Sequence, residues 1–218
     1  MSSPNGQTPP IAVAVVDDDE EIRASFASLI ARAEGFRLAG TFSSAESALA
    51  ELPRTKPNVV LMDINLPGID GVECVRQLKN KMPDVQFIML TVYRDTNRLI
   101  KSFMAGAGGY LLKRIPRDKL LQAIREVCLG GAPMTPEMAR RVVQHFQQMP
   151  PTGQLLPTLS PREIDVLSQL SKGFTYKEIA FNLQISPGTL HSYISSVYTK
   201  LRVHSRTEAV VRFLNCPV

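Results

Sequence analysis

From Ile11 onward the chain alternates short apolar runs with helix-length amphipathic segments. The runs cover Ile11 to Val16, Phe36 to Phe42, Val59 to Met62, Val85 to Leu90 and Tyr110 to Leu112. Between them, stretches at about 20–32, 44–52, 71–81 and 94–105 carry apolar residues at helical spacing, and a fifth such stretch follows Pro116. Runs that are apolar at nearly every residue predict strands buried on both faces, as in a parallel sheet covered by helices. The expected architecture is five βα repeats forming an α/β doubly wound, five-stranded parallel sheet.

After Gly130-Gly131 this rhythm stops. Thr135-Pro136 supplies a helix cap followed by proline at the first helical position, predicting a connector helix over 135–149. Met149-Pro150-Pro151-Thr152-Gly153 reads as a linker. Beyond it only helical periods remain, with start signals at Ser160-Pro161, Thr175, Ser186-Pro187 and Ser205. Helices at about 176–183 and 187–201, separated by a few residues, predict a helix-turn-helix. The expected division is a disordered polar tail over 1–10, an α/β domain over 11–131, a connector and linker over 132–156, and a small all-α four-helix domain over 157–218.

Composition supports two cores. The 218 residues are 44% hydrophobic, enough to bury one full-sized core and one small one. The formal charge of +5 is unevenly placed. Residues 1–131 carry 16 basic and 15 acidic side chains, whereas residues 132–218 carry 9 and 5. The basic excess therefore sits in the helical segment and points there to a polyanionic partner. Cys74, Cys128 and Cys216 follow neither metal-ligand spacing nor a secreted disulfide pattern, so a reducing, cytoplasmic setting is expected. No run approaches the roughly 20 apolar residues of a membrane span, and the polar first ten residues are unlike a signal peptide.

The chemistry gathers at strand ends. In an open α/β sheet, ligands collect at the carboxyl edge near the switch in strand order. The first predicted strand ends in Asp17-Asp18-Asp19 and the third in Asp63. Carboxylates packed together raise one another's pKa unless a cation intervenes, and a hard, oxygen-seeking Mg²⁺ suits them. Thr91 ends the fourth strand and Lys113 the fifth. A hydroxyl and an ammonium beside a carboxylate and Mg²⁺ are the groups that hold a phosphoryl during transfer to an aspartate.

Val15-Val16-Asp17-Asp18-Asp19, Leu61 to Gly71, Leu90-Thr91 and Ala105 to Lys113 together resemble the receiver domain of response regulators. The resemblance implies Asp63 as phosphoacceptor, Asp17 and Asp18 as the acidic pair holding Mg²⁺, and a metal contact from the Asn65 backbone carbonyl. It also implies Thr91 and Tyr110 as a switch pair and Lys113 as the phosphoryl clamp. Asp19 matches no binding position and is expected to cap the next helix. Val92 and Tyr93, bulky beside the pocket, suggest slow loss of the phosphoryl. In the same way, Leu159 to Glu163, Lys172-Gly173, Lys177 to Ala180, Ser186-Pro187, Thr189-Leu190, Lys200-Leu201 and Ser205 to Ala209 resemble the LuxR-type DNA-binding domain.

The whole chain is thus similar to a NarL/FixJ-type response regulator. This implies a sensor histidine kinase and promoter DNA as partners, and a homodimer when phosphorylated. In that family the recognition helix carries a basic residue where this chain has His191, and often a histidine where it has Tyr193. Guanine readout normally uses Arg or Lys, and none occurs on the exposed stretch before Lys200. The expected DNA contacts are Lys177, Lys200, Arg202, His204 and Arg206 to phosphates, with Thr189, His191, Ser192 and Ser195 toward bases. An aspartyl-phosphate phosphatase would place a second Asp at position 65, where Asn stands, so no enzyme is expected. A regulator acting by protein contact, with little sequence-specific DNA binding, is the remaining alternative.

Overall fold

The computed structural model describes residues 9–92, 95–147, 159–203 and 205–214. The expected positions 1–8 of the tail, Tyr93, Met149 to Gly153 of the linker, His204 and Cys216 lie outside them. Five strands, β1 (Ile11–Val16), β2 (Phe36–Phe42), β3 (Val59–Asp63), β4 (Gln86–Thr91) and β5 (Gly109–Leu112), form one parallel sheet in the order β2-β1-β3-β4-β5. Helices α1 (Glu20–Arg32), α2 (Ala45–Thr55), α3 (Gly71–Lys81), α4 (Thr96–Met104) and α5 (Arg117–Cys128) connect and cover them.

Period-2 alternation sorts the strand residues onto two faces. Ala14, Val16, Val60, Met62, Phe87, Met89 and Tyr110 join one buried cluster, with side chains from α2, α3 and α4. Val13, Val15, Val59, Leu61, Ile88, Leu90 and Leu111 join the other, with Phe26 and Ile30 of α1 and Leu120, Ile124 and Val127 of α5. Strand β2 departs from the expectation of burial on both faces: only its terminal Phe36 and Phe42 are buried. It is the edge strand, and its register with β1 slips between Val13 and Ala14.

The helix α6 (Pro136–Gln147) continues where the βα rhythm ends. It does not stand apart as a spacer. Its Met138 and Val142 are buried in the same cluster as Leu99, Ile100 and Phe103 of α4. Four further helices, α7 (Pro161–Ser171), α8 (Tyr176–Asn182), α9 (Pro187–Leu201) and α10 (Arg206–Leu214), enclose a separate core of Val166, Leu167, Leu170, Ile179, Leu190, Ile194, Val197 and Leu201. Helices α7 and α8 each open with a complete capping box, Ser160 with Glu163 and Thr175 with Glu178, so the sequence signals for their starts hold. Val211 of α10 reaches back to pack against the sheet domain's core.

Candidate functional site

Strand β1 lies between β2 and β3, so the chain leaves the carboxyl ends of β1 and β3 in opposite directions. A crevice opens there. Asp17 immediately follows β1, and Asp63 and Thr91 are the last residues of β3 and β4; all three are buried. The ligand atoms of Asp17, Asp18 and Asp63 lie within 4.8 Å of one another. Asp19 turns away from this group and caps α1, accepting from the backbone N–H of Glu21 and Ile22.

Lys113, just beyond β5, reaches into the crevice. Its Nζ lies 2.8 Å from Asp17 Oδ2 and 3.0 Å from Asp63 Oδ2. Burial works against the ammonium charge, yet the two carboxylates outweigh it and hold the amine above its ordinary value. Burial also lifts the Asp17 carboxyl; Lys113 opposes this lift and Asp63 adds to it. The two shifts differ in origin: burial dominates at Asp17, whereas the paired carboxylates dominate at Lys113. Asp63 Oδ1 is buried and has no hydrogen-bond partner. Three convergent carboxylates and an orphaned carboxylate oxygen fit a hard divalent cation such as Mg²⁺.

The local backbone sets this geometry. Gly71, the first residue of α3, donates to the Ile64 carbonyl at 3.1 Å, and a Cβ there would fall 1.8 Å from the Asp63 carbonyl oxygen. Only glycine lets α3 begin so close to the Asp63 backbone. Tyr110 is fully buried with its hydroxyl beside Thr91, and burial raises its pKa. Of the expected switch pair, both residues are therefore inside, with the tyrosine ring against the sheet. Asn65 is exposed at the rim.

Two contributors escape sequence reasoning. Arg23 of α1 donates to the backbone carbonyls of Asp17 at 2.7 Å and Asp18 at 3.3 Å, fixing the acidic loop from behind. Arg98 of α4 donates to the side-chain oxygen of Asn65. Arg98 stands 33 residues from Asn65, and Arg23, though close in sequence, bonds to backbone carbonyls that any residue would offer, so no local pattern announces either contact.

In the helical domain, α9 follows α8 across a short turn, and Thr189, His191, Ser192 and Ser195 are all exposed on α9. The Thr189 hydroxyl pairs with Ser186 Oγ at 2.8 Å, and Ser192 Oγ donates to the Gly188 carbonyl at 3.2 Å. The His191 ring meets Tyr176 edge-on, with centroids 5.7 Å apart. Lys177 is exposed, whereas Lys200 is paired at 2.8 Å with the buried Glu163. Ser196 of α9 donates to Glu163 at 2.6 Å and is half-buried.

Arg206 departs most from expectation. Its guanidinium is spent on the backbone carbonyls of Gly130, Leu170 and Phe174, the last two at 3.0 and 2.8 Å. Those carbonyls close the ends of α5 and α7, so in this structure Arg206 bridges the two domains. The two domains also enclose a cavity of about 430 Å³, whose walls include His191, Ser195 and Arg202 on one side and Lys79 and Asp84 on the other.

Comparison with known proteins agrees with this geometry. The response regulator receiver domain profile matches residues 13–125, and the profile of bacterial regulatory proteins of the luxR family matches residues 157–213. The transcriptional regulatory protein LnrK of Bacillus subtilis is 31% identical over 210 residues, covering 92% of this chain and 95% of its own. The response regulator VraR of Staphylococcus aureus is 29% identical over 201 residues, covering 92% and 95%. Among solved structures, the response regulator ChrA of a heme-sensing two-component system superposes with a TM-score of 0.52 at 29% identity, covering 94% of this chain and 96% of that one. RcsB dimers bound to DNA share the fold at 23% identity with a TM-score of 0.55, covering 95% and 100%. With an Asp63 pocket on its sheet and a helix-turn-helix behind it, the chain belongs to the two-component response regulators that join a receiver domain to a LuxR-type DNA-binding domain.

Proposed function

We propose that this chain is a phosphorylation-dependent transcriptional regulator in which Asp63 takes a phosphoryl group from a sensor histidine kinase and thereby changes DNA binding. The observation that carries the reading is Asp63 Oδ1, buried and unpartnered between Asp17, Asp18 and the Lys113 ammonium. Asp17, Asp18, Asp63 and the Asn65 backbone carbonyl would hold Mg²⁺, which when bound would neutralise phosphoryl charge. Asp63 Oδ attacks phosphorus while the kinase histidine nitrogen leaves with its electron pair. Lys113 holds an oxygen of the transferred group, and Thr91 donates to another. Tyr110, packed behind Thr91, passes the change to α4 and the α6 helix lying on it.

The output is promoter binding by α9, with Lys177 and Lys200 on phosphates and Thr189, His191, Ser192 and Ser195 toward bases, in a homodimer formed on phosphorylation. His191 and Ser195 line the cavity against the receiver, so parting of the domains would widen access to them. Asp63→Ala is expected to abolish labelling by phosphoramidate or acetyl phosphate, and retained labelling would refute the assignment. Chromatin enrichment compared between wild type and Asp63→Ala tests the output. Enrichment that is absent in both would favour a regulator working by protein contact, a reading supported by the lack of Lys or Arg on α9 before Lys200.

A further inference from the structure

The rim of the Asp63 pocket is bridged by one hydrogen-bonded chain. Arg98 donates through Nη1 to Asn65 Oδ1, joining the first turns of α4 to the loop that follows β3, 33 residues away in sequence. The arginine is held from below. Its Nε lies 3.7 Å from Asp95 Oδ2, while Asp95 Oδ1 accepts from the backbone N–H of Asn97 at 2.8 Å and of Arg98 at 3.3 Å. The Arg98 carbonyl in turn accepts from the Ser102 hydroxyl at 2.7 Å, and Ser102 is fully buried. A capped helix start thus presents a guanidinium to the side chain two residues beyond Asp63.

We propose that Arg98 is a positioning residue that prolongs the life of the phosphoryl group on Asp63 by occupying the Asn65 side-chain oxygen. The inference rests on the reading of Asp63 as phosphoacceptor. In hydrolysis, a water oxygen bonds to phosphorus opposite the Asp63 oxygen and the Asp63–phosphorus link breaks. Its electron pair stays on the carboxylate, and the water proton leaves with inorganic phosphate or passes to solvent. An amide oxygen at the rim can accept from that water and hold its lone pair toward phosphorus. Once Arg98 donates to it, Asn65 Oδ1 keeps only one of its two lone pairs and is a poorer acceptor for the attacking water. Arginine suits this task because its planar fork can serve Asp95 and Asn65 together, which a lysine ammonium on a flexible stem cannot do with the same geometry.

The test uses the full chain, labelled with phosphoramidate in Mg²⁺, freed of donor, and followed by phosphate-affinity electrophoresis. Arg98→Ala is expected to lose label about fivefold faster than wild type, the scale of one exposed hydrogen bond. Arg98→Lys is expected to fall between the two, and serves if the alanine variant does not fold. Asn65→Ala keeps the backbone carbonyl; it is expected to decay no faster than wild type and to erase the effect of Arg98→Ala in the double variant. A merely structural tie would lower the thermal midpoint without this dependence on Asn65. Decay of Arg98→Ala within twofold of wild type overturns the proposal, as does equal acceleration in the Asn65→Ala background. If the wild-type chain takes no label, the phosphoacceptor reading itself fails and the inference with it; if it labels and Arg98→Ala decays normally, only the inference fails.

Discussion

Arg206, at the start of the last helix, donates to the Gly130 carbonyl at the end of α5, so a cation of the DNA-binding domain caps a helix of the receiver. The C-terminal end of a helix carries partial negative charge and unpaired carbonyls, which suits a guanidinium. Beside it, the Tyr176 backbone N–H donates to the Leu129 carbonyl at 3.0 Å. The Tyr176 ring lies 2.5 Å from where a Gly130 side chain would begin.

Gly130→Ala tests this junction. The residue has φ of +81°, so alanine meets a backbone penalty of about 1 kcal/mol as well as the tyrosine ring. Undocking the domains frees the cavity-facing side of α9. The unphosphorylated variant is expected to bind its promoter roughly 5-fold more tightly, the factor that corresponds to about 1 kcal/mol. A gel shift showing unchanged affinity would mean that the junction does not restrain DNA binding.

Gly71→Ala probes the pocket from its backbone. A methyl group 1.8 Å from the Asp63 carbonyl oxygen forces α3 or the strand end to move. Overpacking of this kind costs about 1–3 kcal/mol, so the chain should still fold while Asp63 shifts against Lys113. Phosphoramidate labelling is expected to fall at least tenfold, because displacements near 1 Å carry such losses. Wild-type labelling in a folded Gly71→Ala chain would show that α3 does not fix the Asp63 position.

How far the residues announce themselves depends on the range of the interaction. The strand ends bearing Asp17, Asp63, Thr91 and Lys113 follow from apolar runs meeting polar residues, so the pocket is legible before any coordinates. The starts of α7 and α8 are equally legible, because a capping box is written within four residues. The docking of Met138 and Val142 onto α4, the Arg206 clamp and the Arg98 contact are not legible. Each joins segments that sequence patterning treats separately, and an exposed-looking arginine gives no local sign of its carbonyl partner. The apolar character of β2 also misleads, since its edge position, and not its composition, decides its exposure.

Glu163 gives a pH dependence with a definite sign. Burial opposes its charge, but the Lys200 ammonium, the Ser196 hydroxyl and the Ser160 cap outweigh it and hold the carboxyl down at about 2, against an ordinary 4.5. A depressed carboxyl stabilises the fold above its unfolded value, and that stability is lost as pH falls through the folded one. Calorimetry of the helical domain's transition in the full chain should therefore show wild type losing its advantage over Glu163→Gln as pH falls from about 4.5 toward 2. A constant difference across that window would contradict the assignment.

The recognition face separates two kinds of contact by their salt response. Lys177 is exposed, so as a phosphate contact its loss should weaken every DNA equally. Lys177→Ala is expected to reduce the slope of log affinity against log salt by about 1. His191 and Ser195 carry no fixed positive charge, so His191→Ala and Ser195→Ala should leave that slope unchanged. If they read bases, they should instead cost about 1–3 kcal/mol on the specific site alone and narrow the gap to random DNA. Should both substitutions weaken specific and random DNA equally, α9 would not be reading sequence through these positions, and the balance would move toward regulation by protein contact.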